Sequence, residues 1–406
     1  MVVGRTLSEA ILSSKSGGPA RAGDIVVCEP DLILGTDGST PMAIDYFEAM
    51  GGQAVADATR ILLACDHYAP PTSTTTSGFH RRMEDFARTH GIEILPVGGG
   101  ISFQVALDTD RVAPGDLVVG ADSHTVTCGA VGAFATGVGS SDLAGAFLTG
   151  RVWLRVPHTI RVVLEGEIPT GVGAKDVALE LVRVLGTGTA DYAALEFHGP
   201  AAAAMPVAER MVLSNMSVDM GAMAGLFDTA VVSDLHRAQR PAVREHTLDV
   251  ATMEPQVALP HDPGNSVPVG EAVGRPVDWV LLGTCTGGRV HDFREALRVL
   301  RAAGGLAPGV TLVVTPPSQA VRAALEADGT LEAFETLGAV VTETGCGPCC
   351  ATSGPLPPPN AKVLSTGSRN YRGRMGDPSV DIMLASPATC AAAAASGRVV
   401  DPRSIS

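Results

Sequence analysis

Thr342-Glu343-Thr344-Gly345-Cys346-Gly347-Pro348-Cys349-Cys350 places a Cys-x-x-Cys inside a Gly/Pro turn, just after the apolar run at 337–341. The turn holds two thiols on one side of a loop, and soft ligands of this kind suit zinc or an iron–sulfur cluster. Alone it is a weak signal, because structural zinc sites and buried thiol pairs share the spacing. Its weight comes from Val277-Asp278-Trp279-Val280-Leu281-Leu282-Gly283-Thr284-Cys285, where a lone cysteine again follows an apolar strand-like run in a small-residue loop. Three thiolates with no fourth of comparable placement leave one metal position open. Cys350 directly follows Cys349, and adjacent residues rarely ligate one metal, so it reads as packing. Cys28, Cys65, Cys128 and Cys390 lack pairing logic and read as small hydrophobes.

The same placement recurs twice upstream. The run at 60–64 leads into Cys65-Asp66-His67, and the run at 116–120 leads into Ala121-Asp122-Ser123-His124. Strand-like and helix-like segments alternate for most of the length, the pattern of α/β layers with a largely parallel sheet. Each polar or sulfur group then sits at the carboxyl end of a strand, where open α/β sheets place their sites.

A chain of 406 residues implies more than one domain, and loop-like composition near Pro157 and between Gly264 and Pro276 divides it into 1–157, 158–275 and 276–406. With 45% apolar residues the chain can bury its cores, and a formal charge of −14 without a basic patch excludes a phosphate-tracking nucleic-acid surface. Thr6-Leu7-Ser8-Glu9 reads as a capped helix rather than a signal peptide, and no run approaches the roughly 18 apolar residues of a membrane span. A cytoplasmic protein with reduced thiols is expected. An amphipathic helix is expected over 174–185.

Asp66-His67 and Asp122-Ser123-His124 have the composition of carboxylate–imidazole pairs, in which the acid orients the ring and raises its pKa. Read blandly, they cap the helix after each strand. Ser123 is not a hydrolase nucleophile, because the Gly-x-Ser-x-Gly elbow is missing. Ser368-Arg369-Asn370-Tyr371-Arg372-Gly373-Arg374 offers planar guanidinium forks matched to carboxylates, against the plainer reading of a solvated basic loop.

Taken together these residues resemble the aconitase superfamily, most closely the large subunits of 3-isopropylmalate dehydratase and homoaconitase, over essentially the whole chain. The motifs that carry the resemblance include Val118-Val119-Gly120-Ala121-Asp122-Ser123-His124-Thr125, Ala133-Phe134-Ala135-Thr136-Gly137-Val138-Gly139-Ser140, Glu254-Pro255-Gln256-Val257-Ala258 and Arg369-Asn370-Tyr371-Arg372-Gly373-Arg374. The resemblance implies three α/β domains around a [4Fe–4S] cluster held by Cys285, Cys346 and Cys349, the free iron acting as a Lewis acid. It implies that Asp66 and His67 protonate the departing hydroxyl, that Asp122, Ser123, His124 and Asp219 line the pocket, that Asn215 lies near the cluster, and that Arg369 and Arg374 hold substrate carboxylates. It also implies that the swivelling fourth domain, with its serine base, resides on a separate small subunit. The expected reaction isomerises a 2-substituted malate, such as 2-isopropylmalate, by dehydration and rehydration.

Some positions depart from the family pattern. Phe103 stands for a pocket histidine, Asp219 for a glutamate, Gly287 for an asparagine, Ala351-Thr352-Ser353 for a Gly-Ala-His-like stretch, and Pro41 for a glutamine of the aconitase branch. Phenylalanine cannot move a proton, so a more apolar pocket that takes a different malate substituent, such as a homocitrate-like or phosphonate-bearing one, is the alternative expectation. A noncatalytic protein stabilised by a single zinc is the rival of another class.

Overall fold

Strands buried on both faces read as unbroken apolar runs, and Leu32–Thr36, Ile61–Ala64 and Leu117–Gly120 are of this kind. In the computed structural model, which describes residues 4–229 and 244–405, they form a five-stranded parallel sheet with Glu93–Leu95 and Phe134–Gly137. Alternate residues point to opposite faces. Ile33, Ile61, Leu63, Leu117 and Val119 meet the helices Leu7–Lys15, Thr40–Ala49, Thr74–His90 and Ser140–Thr149. Leu32, Leu34, Leu62 and Val118 pack under the helix Ser102–Asp108 and the tight helical turn Ser123–Val131.

A four-stranded parallel sheet follows, in the spatial order Ala224–Phe227, Ala194–His198, Thr159–Glu165, Arg244–Asp249. The expected amphipathic helix runs over Ala174–Leu185 and buries Val177, Leu179, Leu181 and Val182 on this sheet. Each fully buried valine or leucine contributes about 2 kcal/mol of transfer free energy. A seven-stranded sheet completes the fold, in the order Ser266–Pro268, Gln256–Ala258, Asp381–Ala385, Lys362–Ser365, Trp279–Gly283, Thr311–Thr315, Val340–Val341, with its last five strands parallel. Because Gln256–Ala258 and Ser266–Pro268 join this sheet, we propose a third domain that begins near residue 250 rather than at 276.

The parallel strands of the first and third sheets share one topology. In each, the first strand of the set lies in the middle, the second and third extend to one side, and the fourth and fifth to the other. The order reverses beside the first strand, and there the diverging loops open a crevice at the carboxyl ends of the strands.

The cores meet around the cysteines. Cys285 packs in the apolar cluster of the first sheet, whereas Cys349 belongs to the cluster shared by the second and third sheets. The helix at the N-terminus starts where expected, with Thr6 and Glu9 capping each other's backbone N–H groups.

Candidate active site

Four loops at the two crevices converge. From the first sheet come the loop after Ile61–Ala64, with Asp66 and His67, and the turn after Leu117–Gly120, with Asp122, Ser123 and His124. From the third come the loops after Trp279–Gly283 and Lys362–Ser365, with Cys285 and with Ser368 and Arg369. The Cys346–Cys349 turn, after the short edge strand Val340–Val341, docks directly onto the Asp66 loop. Cys346 N donates to Asp66 O at 2.9 Å, and Ser353 Oγ donates to Ala69 O at 2.9 Å.

Asp66 is fully buried and its Oδ1 lies 2.7 Å from His67 Nδ1, while its Oδ2 accepts from Ser102 N at 3.0 Å. Burial pushes the Asp66 carboxyl up to about 6 against the opposing pull of His67. Burial alone would lower the His67 pKa, but Asp66 beside it and Asp122 beyond hold the imidazole well above its ordinary value. With Nδ1 committed to Asp66, Nε2 is directed to the other side, 3.5 Å from Asp122 Oδ2. This geometry holds a proton on Nε2 for delivery to a neighbouring oxygen.

Asp122 caps its own turn, Oδ1 accepting from His124 N at 2.8 Å. Burial opposes its ionisation, yet the bond to His124 and the charges of His67 and His124 hold its carboxyl below the usual carboxylate range. His124 Nε2 lies 3.2 Å from Ser368 Oγ. Asn215 is tied to the same turn: its Nδ2 donates to Thr127 Oγ1 at 2.8 Å, and that hydroxyl donates to His124 O at 2.6 Å. Arg369 is not a solvated basic residue. Its Nε donates to buried Asp219 Oδ1 at 2.7 Å and its Nη2 to Ser123 Oγ at 3.2 Å. Arg374 extends Nη2 to within 3.9 Å of Cys349 Sγ. Three buried polar atoms of this group, Asp219 Oδ2, Asn215 Oδ1 and Arg374 Nε, have no partner among the described residues, as befits groups that face a polar ligand.

The thiols suit a cluster better than one ion. Burial pushes the Cys285 thiol up to about 12, with Cys349 adding to the effect. A bond with Cys350 would lower Cys346, but burial and its two partner cysteines push it up to about 11. Mutually raised thiols are a donor set that a cationic centre ionises. A tetrahedral zinc about 2.3 Å from each sulfur needs sulfurs about 3.8 Å apart. Among the described residues, the group of three thiol, imidazole or carboxylate ligand atoms within 4.8 Å of one another is Asp37, Asp66 and His67; the cysteine trio is spread more widely. Gly367 forms part of the seat, since a Cβ there would lie 2.9 Å from Cys349 Sγ.

Among the described residues, Phe103 does not line an open apolar pocket. The ring is 2% exposed and packs with Leu34, Leu62 and Cys128 in the cluster that includes Cys285, so it offers no open surface to a substituent. The glycine at 287 has a local cause: a Cβ there would lie 2.4 Å from Thr366 Cβ.

Sequence reasoning missed Asp37, Lys175 and Ser368. Asp37 is fully buried at the end of the central strand Leu32–Thr36 and accepts from His67 N (2.9 Å), Tyr68 N (3.0 Å) and His80 Nε2 (2.8 Å), so it sets the loop on which His67 stands. The signal was present, an acid just past an apolar run. Lys175 is 2% exposed, and burial pushes its ammonium down to about 8 against the pull of Cys285, Asp219 and Cys349. A cavity of about 500 Å³ beside Asp122 and Ser123 extends to exposed Trp153 and Tyr192.

The profile described as Aconitase family (aconitate hydratase) matches residues 9–246 and 272–397. Two similar relatives are 3-isopropylmalate dehydratase large subunit 1 of Methanopyrus kandleri, 41% identical over 416 residues and 99% of each chain, and the namesake subunit of Thermotoga maritima, 40% identical over 418 residues and 99% of each. The homoaconitase large subunit of Thermus thermophilus is 39% identical over 416 residues, covering 99% of this chain and 98% of that one. The crystal structure of holo Thermococcus kodakaraensis aconitase X shares the fold, with a TM-score of 0.55 at 13% identity over 93% of this chain and 97% of that one.

Proposed function

The chain belongs to the aconitase family, and on that basis we propose that it is the large, cluster-bearing subunit of an iron–sulfur hydro-lyase that isomerises 2-isopropylmalate to 3-isopropylmalate. The observation that carries the reading is the docking of the thiol turn on the acid–base loop, Cys346 N to Asp66 O at 2.9 Å. That bond supports the reading, because the proposed chemistry needs a soft-metal donor set next to a protonated imidazole. Relatives covered end to end and named large subunits support a small-subunit partner.

Cys285, Cys346 and Cys349 would hold the cluster, in our reading a [4Fe–4S] one. When bound, it supplies an iron with an open position, a Lewis acid for the hydroxyl and carboxylate of a malate. This chain's residues do the rest of the positioning. Arg369, braced by Asp219 and Ser123, and Arg374 orient the substrate carboxylates. His67, polarised by Asp66, gives its Nε2 proton to the leaving hydroxyl and takes one back from water on rehydration. The base for the carbon-bound proton is a serine of the small subunit. The cavity from Ser123 to exposed Trp153 and Tyr192 gives that partner an approach.

The test is anaerobic activity of the chain co-expressed with a candidate small subunit, on 2-isopropylmalate and homocitrate, followed by alkene absorbance in the ultraviolet. Turnover of 2-isopropylmalate is expected. No turnover by a preparation with a confirmed cluster overturns the reaction; a single zinc in place of iron overturns the site.

A further inference from the structure

Lys175 lies on the N-terminal turn of the helix Ala174–Leu185, which belongs to the second sheet, yet its ammonium ends in the crevice of the third. A lysine ammonium has three donors, and all three are used there. Nζ donates to Gly367 O at 2.6 Å, to Thr366 O at 3.2 Å and to Thr286 Oγ1 at 3.2 Å. Thr286 follows Cys285 in the chain and itself donates to Thr366 O at 2.7 Å, and Gly367 seats the sulfur of Cys349. One side chain thus joins the two loops that flank the crevice.

These partners are all neutral. Among the described residues, no Asp or Glu oxygen makes an ion pair with Lys175, although the residue is 2% exposed. A buried cation without a counter-anion costs several kcal/mol, so a negative group is expected within reach. Asp219 stands in the same region but is paired to Arg369. Asp176 and Asp292 are also near the ammonium, but their oxygens accept from the Gly173, Gln256 and Arg289 N–H groups, which leaves Cys285 and Cys349 as the thiols of the site that act on it.

Resting on the cluster reading above, we propose that Lys175 is a positioning residue of the metal centre: it clamps the Cys285 and Gly367 loops and, beside Arg374 and Arg289, supplies one of the positive charges that balance the thiolate-bound cluster. In the cluster-free chain the same ammonium is a buried charge with no ion-paired carboxylate among the described residues. Its removal therefore has opposite consequences for the empty protein and for the loaded one, which a purely structural lysine does not produce.

The experiment compares the wild type with Lys175→Met, each reconstituted anaerobically with iron and sulfide. Iron content, the midpoint potential of the bound cluster followed by EPR, its half-life in air, and the thermal midpoint of the cluster-free chain are measured. Removing the positive charge favours the oxidised cluster. The midpoint potential is expected to fall by about 59 mV or more, tenfold in a one-electron equilibrium, with the half-life in air shortened by a similar factor. The cluster-free chain is expected to melt no lower than the wild type. An unchanged potential and half-life, or a shorter half-life explained by an equally destabilised cluster-free chain, overturns the proposal. Should Lys175→Met not fold, Thr286→Val removes one partner of the ammonium, and a half-life equal to that of the wild type overturns it. A wild-type chain that takes up no cluster overturns instead the reading on which this one rests.

Discussion

His67 stands among three carboxylates, Asp66 at 2.7 Å, Asp122 at 3.5 Å and Asp37 at 3.7 Å, and this decides its proton. Burial works against the imidazolium, and the neighbouring charges outweigh it, so the folded pKa lies above 6.5. In the proposed dehydration the acid form is the active one. The rate is therefore held below that raised pKa and falls as pH climbs through it. Asp66→Asn removes the principal raising charge and leaves the burial. The alkaline limb of kcat/KM is then expected to move down by about one pH unit or more, the scale of a close charge-assisted hydrogen bond. A limb that stays in place would assign it to another group. The wild-type profile and the variant's iron content, which should be unchanged, complete the measurement. At this scale the sequence was informative: Asp66, His67 and Asp122 were legible because each follows an apolar strand. Asp37 obeys the same rule but does not stand out in the sequence, since an isolated acid after a strand resembles any helix cap.

The turn that delivers Cys285 shows how an element constrains a site. Gly283 has φ +116° at the end of its strand, and a Cβ there would lie 2.0 Å from Thr315 O on the adjacent strand. Only glycine allows the chain to leave the sheet at this point and drop Cys285 into the crevice. Gly283→Ala is expected to cost about 3 kcal/mol, from the clash and the strained backbone together, with a lower urea midpoint of the cluster-free chain and reduced iron uptake. An unaltered midpoint would mean that the strand end yields. Strands and the helix Ala174–Leu185 were readable because apolar periodicity is local. The membership of Gln256–Ala258 and Ser266–Pro268 in the third sheet was not, because short strands of three residues carry too little pattern to say which sheet they join.

For the whole molecule, the proposed division of labour between subunits gives the broadest prediction. Reconstituted alone, the chain is expected to hold iron and show the EPR signal of an oxidised cluster while turning over no 2-isopropylmalate; addition of the small subunit should restore activity with a midpoint that reports the affinity of the pair. Activity from this chain by itself would place the base within it. The matching strand orders of the first and third sheets also belong to this scale. No internal repeat is visible in the sequence, yet both sheets present a crevice beside their first strand, and the candidate site lies where loops from the two crevices touch, as Ser368 with His124 and Arg369 with Ser123.

The sequence by itself determined the α/β class and the family, and placed the candidate acid, imidazole and thiol groups at strand ends, because apolar runs, turn residues and short motifs are properties of neighbouring residues. Only the tertiary structure decided that Phe103 is core rather than pocket wall, that Arg369 is braced by Asp219, and that Asn215 reaches His124 through Thr127. It alone brought Lys175 to Gly367, 192 positions away. Such pairings depend on how three sheets stack, and stacking leaves no trace in the spacing of adjacent residues.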